Sequence, residues 1–143
     1  MNRIGLIVLG LCFVAGCHKG PEMYQVSGQV RLKDGGVPKA PIALIRFEPV
    51  KDSSATIRRN ATSPIAPDGS FTLFTRKPGD GVNKGEYKVA FTFCKSPVDT
   101  KPMVADKYWN PNESPYSVTV DQDLVDQVFE VEMLPGAAGS KGG

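Results

Sequence analysis

Residues 87–94 alternate without a break, Tyr87, Val89, Phe91 and Phe93 standing against Lys88, Ala90, Thr92 and Cys94. Successive side chains of a strand point to opposite faces, so a period of two commits this segment to a strand with one face buried. The same period recurs along the chain. Tyr24, Val26, Gly28, Val30 and Leu32 alternate with Gln25, Ser27, Gln29 and Arg31. Over residues 41–49, Ala43, Ile45 and Phe47 share one face, and Ile42, Leu44, Arg46 and Glu48 share the other. Phe71 and Leu73 carry the pattern over residues 70–75, and Tyr116, Val118 and Val120 carry it over 116–120. Phe129, Val131 and Met133 close it. Strong helical periodicity is found nowhere.

Turn chemistry separates these segments. Lys33-Asp34-Gly35-Gly36 and Pro67-Asp68-Gly69 place Asp and Gly where a positive φ is needed. Residues 79–85 are rich in Gly, and residues 51–59 and 121–126 are polar and read as loop and turn. Residues 60–65 form a weaker strand, and Pro64 removes a ladder donor and so marks an edge. Pairing 60–65 with 70–75 gives a hairpin. Residues 95–114 read as a long, proline-containing loop. Seven short strands over about 110 residues fit one antiparallel β-sandwich. Its inward set is expected to be Val26, Val30, Ile45, Phe47, Phe71, Leu73, Tyr87, Val89, Phe91, Val118, Val120, Phe129 and Val131. At about 1.5–3 kcal/mol per fully buried large side chain, such a core holds a domain without disulfides.

The first residues have another design. Arg3 gives a charged start, residues 4–15 are an apolar run, and the small pair Ala15-Gly16 precedes Cys17. This is the layout of a secretory leader, and the run is shorter than the roughly 20 residues a membrane-spanning helix needs. Val14-Ala15-Gly16-Cys17 closely resembles the bacterial lipobox. That resemblance implies cleavage before Cys17, acylation of its thiol, and export to the cell membrane or outer membrane. The expected division is a leader over 1–16, a lipidated stalk over 17–23, the β-domain over 24–135 and a disordered tail over 136–143. Cys12 leaves with the leader and Cys17 is acylated, so Cys94 stays without a disulfide partner.

Removing residues 1–16 leaves 127 residues with 16 Lys and Arg against 15 Asp and Glu. So balanced a charge offers no basic stripe for nucleic acid.

Several motifs then fall into a known order. Val26-Ser27-Gly28-Gln29-Val30 is followed by residues 37–42 (Val-Pro-Lys-Ala-Pro-Ile) and Ile45-Arg46-Phe47-Glu48-Pro49. Asp68-Gly69-Ser70-Phe71, Gly79-Asp80-Gly81 and Gly85-Glu86-Tyr87-Lys88-Val89 come next. Lys107-Tyr108, Ser114-Pro115 and the strand pair at 116–133 complete the series. The series, roughly residues 24–134, resembles the carboxypeptidase regulatory-like, transthyretin-like (prealbumin-like) sandwich domains. It is especially similar to the short lipoproteins of this kind in planctomycete bacteria. The resemblance implies a seven-stranded Greek-key sandwich in which Gly28 permits a bulge or close approach and Tyr87 anchors a corner.

Catalytic chemistry finds few residues. The only histidine, His18, stands beside the acylation site, so a Ser-His-Asp or Cys-His pair inside the domain is impossible. The transthyretin-like group includes hydroxyisourate hydrolases that use His and Arg residues and a C-terminal Tyr-Arg-Gly-Ser motif. This chain lacks that motif, and the activity does not carry over. No cofactor is expected. One cysteine without histidine makes no zinc set, and Asp121, Asp123 and Asp126, like Asp80 and Asn83, read as turn formers rather than cation ligands. Two features stay open. Cys94 is either a small buried residue or a reactive thiol. Tyr108, Trp109 and Tyr116 are candidate ligand or partner contacts, unless Trp109 caps the open end of the sandwich. The expectation is a membrane-anchored, non-catalytic structural or protein-interaction module. The alternative is a carbohydrate-binding module using the 95–116 loop. Partners are then the membrane, through the lipid, and an envelope protein or polysaccharide.

Overall fold

A computed structural model describes residues 20–53 and 57–137. The leader, Cys17, His18 and residues 138–143 of the tail lie outside the described residues. In chain order the elements are β1 (Met23–Tyr24), β2 (Val26–Leu32), β3 (Ile42–Pro49), β4 (Ala61–Pro64), β5 (Ser70–Thr72), β6 (Val82–Asn83), β7 (Gly85–Cys94), α1 (Asp106–Trp109), β8 (Ser117–Val120) and β9 (Leu124–Val131). The alternating segments form the longer strands. The domain begins slightly earlier than the sequence suggests, because Met23 already pairs with Asn83 and Lys84 donates its N–H to the Glu22 carbonyl.

Two larger sheets share one core. One has the order β4-β3-β7-β8 and is antiparallel throughout; the other has the order β5-β2-β9. β2 and β5 are antiparallel, whereas β2 and β9 are parallel, which corrects the expectation of a wholly antiparallel fold. The cause lies in the short link after β8. A tight link within one sheet forces an antiparallel hairpin. Residues 121–123 instead carry the chain from one sheet to the other, and β9 arrives beside β2 running the same way.

The expected hairpin of 60–65 with 70–75 is also corrected. Its turn exists, with Gly69 at φ +86°, but β4 pairs with β3 and β5 pairs with β2. An isolated bridge joins Thr62 and Phe74, with N–H to carbonyl distances of 2.9 and 3.0 Å, and the Thr72 N–H donates to the Ser63 hydroxyl at 3.1 Å. Two residues beyond Thr62, Pro64 has no N–H to continue that ladder. Residues 121–126 are not all turn, since β9 starts at Leu124. Val26 stands opposite Leu124 but Gly28 opposite Gln127, so β9 carries one extra residue. Asp126, at φ +63°, marks this bulge.

Phe129 is the centre of the core. Its ring lies 5.2 to 6.2 Å from those of Tyr116, Phe91, Phe71 and Phe47, which come from both sheets and from the chain before β8. Val118 is the one member of the expected inward set that is only partly buried.

The stretch after β7 is not a plain loop. Met103 donates its N–H to the Phe93 carbonyl and accepts from the Leu134 N–H, both at 2.8 Å, and Val104 bridges Met133. It therefore stitches β7 to the chain beyond β9 and closes the side of the core. α1 then inserts Tyr108, which is fully enclosed.

Candidate functional site

The molecule has two distinct poles. At one, β1 pairs with β6 immediately before β7 begins, so the N-terminal segment leaves the domain beside Gly85. The Asp123 carboxylate accepts the Gln25 N–H at 2.9 Å and belongs to the same pole. The ten residues of β7, at about 3.3 Å each, span roughly 30 Å. At the far end Cys94 stands opposite Ile42, the first residue of β3.

That far pole holds an open groove of about 980 Å³. It is lined by residues 38–44 and 64–67, with Lys95, Met103, Gly136 and Ala137. The local sequence explains why it forms. Ile42 and Leu44 lie on the outward face of β3, the face that carries Arg46 and Glu48 further along. Pro38 and Pro41 precede β3, Pro64 ends β4 opposite Leu44, and Pro67 opens the turn that follows, and none of the four carries an N–H. Met103, Ile65 and Ala43 form the floor, where the groove opens into the core. Among the lining residues only Lys39 and Lys95 are charged, and both are cationic. The sequence reading missed this site. Its one signal was the apolar start of the outward face at Ile42 and Leu44.

The sequence-derived candidates lie elsewhere. Tyr108 is buried, its hydroxyl donating to the Glu132 carboxylate at 3.3 Å. Tyr116 turns its ring inward onto Phe91 and Phe129. Its hydroxyl donates to the Glu130 carbonyl at 2.6 Å and accepts the Glu130 N–H at 3.1 Å. Trp109, 45% exposed, is the only one of the three that presents an open ring. The structure therefore offers a single exposed ring rather than a stacking platform of three, and it is Tyr108, not Trp109, that plugs the core. Cys94 is 4% exposed and unpaired, a small side chain packed at the end of β7. Cys17 lies outside the described residues.

The acidic clusters serve the backbone. Burial pushes the Asp80 carboxyl up, but the N–H groups of Thr75, Arg76 and Lys77, at 2.9 to 3.1 Å, outweigh it and hold the group below its usual range. Asp68 is held low by the Ser70 hydroxyl and N–H in the turn before β5. Among the described residues no group of three or more His, Cys, Asp or Glu is placed to hold a metal ion. Glu132 joins Lys33 and Lys107 at 3.0 and 3.1 Å, and the two ammonium groups hold its carboxyl below the usual range. This trio locks the stretch around α1 onto the end of β9.

Compared with known proteins, the chain matches no family model, no curated protein and no solved structure. The groove, its two cations and its place at the pole opposite β1 are the features on which a function has to rest.

Proposed function

We propose that this chain is a bacterial envelope lipoprotein, held to a membrane by acyl chains on Cys17. Its Greek-key, transthyretin-like β-sandwich works as a non-catalytic interaction module for a second envelope component. The observation that carries this reading is the polarity of the molecule. The N-terminal segment leaves at one pole, and a broad apolar groove opens at the other. A tether of six residues from Cys17 to Met23 reaches at most about 20 Å, shorter than β7. A domain held this way offers its groove to what lies beyond the membrane surface. The residues support binding rather than chemistry, because the single histidine stands at the tether and not in the domain.

Two measurements test the reading. Labelled palmitate is expected to enter the wild-type protein and not Cys17→Ser, which should leave the membrane fraction. A photo-crosslinking residue at Leu44 is expected to capture an envelope component, and one at Asp123 is not. Equal capture at both positions defeats the assignment of the groove as the contact surface. Membrane retention without label defeats the anchor.

A further inference from the structure

The groove walls say what kind of molecule they suit. Pro38, Pro41, Pro64 and Pro67 carry no N–H. The N–H groups of Ile65, Ala66, Met103 and Ala137 already donate, to the carbonyls of Ala43, Ser70, Phe93 and Leu134. An extended peptide laid here would bring an N–H and a C=O at every residue, each needing a partner once it leaves water. A hydrocarbon chain brings neither. The volume of about 980 Å³ matches a small-molecule site. Lys39 precedes β3 and Lys95 follows β7, so a pair of cations stands at this end with no carboxylate among the lining residues. An apolar trough with ammonium groups, four prolines and four N–H groups already engaged is complementary to a single-chain anionic amphiphile.

We infer that the groove binds a free long-chain carboxylate. Its alkyl chain lies against Ile42, Leu44 and Met103, and its head pairs with Lys39 and Lys95. This rests on reading the groove as the contact surface and names its occupant. Because the tether leaves from the opposite pole, the occupant is a free molecule and not the protein's own membrane.

Every residue of the core and its satellites lies between Tyr24 and Ala137. Residues 18–143, made without leader or lipid, therefore keep the fold and can be studied free of detergent. The probe is dansyl-undecanoate, displaced by unlabelled ligands. Dodecanoate is expected to displace it roughly fifteenfold more tightly than decanoate, the ratio given by two methylenes at ~0.8 kcal/mol each. Leu44→Glu should lower affinity at least tenfold. The pair Lys39→Met and Lys95→Met lies on the rim and spares the fold. It should erase the preference for dodecanoate over dodecanol while leaving the chain-length gradient intact. No displacement, or displacement independent of chain length, overturns the proposal. Sedimentation with phosphatidylglycerol vesicles that is lost in the same variants would assign the groove to a bilayer surface instead. Binding that emerges only after residues 138–143 are removed would assign it to the chain's own tail. Capture of an envelope component from Leu44 without carboxylate binding overturns this occupant and leaves the interaction reading standing. Carboxylate binding without capture has the reverse meaning.

Discussion

The hydroxyl of Tyr87 donates to the Asn83 carbonyl at 2.6 Å within the core, tying the start of β7 to β6. Burial, with the charge of Glu86 beside it, pushes this phenol up to about 12. A raised folded pKa means stability that is fully present below the unfolded value of about 10 and is lost as pH rises towards the folded one. Urea unfolding should therefore show stability falling between about pH 10 and 12. Tyr87→Phe should flatten that limb and cost about 1–3 kcal/mol at neutral pH, through the carbonyl left without its donor. Gly28 is constrained differently, since a Cβ there would lie 1.8 Å from the Gln127 carbonyl oxygen at the bulge. Gly28→Ala should cost more than about 2 kcal/mol in the same measurement, because the intruding neighbour is backbone and not a flexible tip. Both roles were legible from single residues, a glycine inside an alternating strand and a tyrosine two places after Gly85. Cys94 was not. Its phase along β7 points it outward, away from Tyr87, Val89, Phe91 and Phe93, yet it is buried.

Among the elements, the alternating strands were legible because one face of each is buried and the period records it. The stretch from Lys95 to Tyr116 was not legible, because Met103, Val104 and Tyr108 reach the core at irregular intervals, and such a path leaves no period. Beside the backbone bonds of Met103 and the buried Tyr108, its end around α1 is held by Glu132, whose carboxyl is held low by Lys33 and Lys107. A lowered folded pKa gives stability that is present above the unfolded value of about 4.3 and is lost as pH falls through the folded value. The amides of Tyr108 and Asn110 bond to Ala105 and Asp106 within this stretch. Their exchange protection, corrected for intrinsic rate, should fall below about pH 4 while the amides of β3 and β7 keep theirs. In Glu132→Gln the protection should be low at every pH, and a variant with wild-type protection would show that the ion trio does not hold the stretch. Tyr108→Ala should be more severe, about 3–5 kcal/mol in unfolding experiments, as for other large aromatic truncations in cores. The hairpin misread at 60–75 has the same root as the missed stretch. Its turn residues are local and were readable, whereas the choice of partner strand is made by β2 and β3 from elsewhere in the chain.

At the scale of the whole molecule, the two-sheet core was legible because its inward residues repeat in phase. The parallel pairing of β2 with β9 was not, because it depends on which sheet the chain enters after residues 121–123. The groove was half legible: its apolar wall is written in β3, but its other wall comes from the chain beyond β9 and from Met103. What joins fold to function is the separation of the poles by the length of β7. If Cys17 carries the lipid, that separation becomes an orientation. A fluorophore on the thiol of Asp123→Cys, beside the N-terminal exit, then lies within the ~20 Å reach of the tether. One on Lys39→Cys lies about 30 Å further along the strand direction. With the acylated protein in vesicles whose headgroups carry a quencher, the label at Asp123 should be quenched strongly and the label at Lys39 weakly. Moderate salt should leave the difference in place, because the charge of the chain after residue 16 is nearly balanced, 16 Lys and Arg against 15 Asp and Glu, and gives little net attraction to an anionic surface. Equal quenching at the two positions would mean that the domain lies on its side, with its groove against the lipid. The occupant would then be sought in the membrane rather than beyond it.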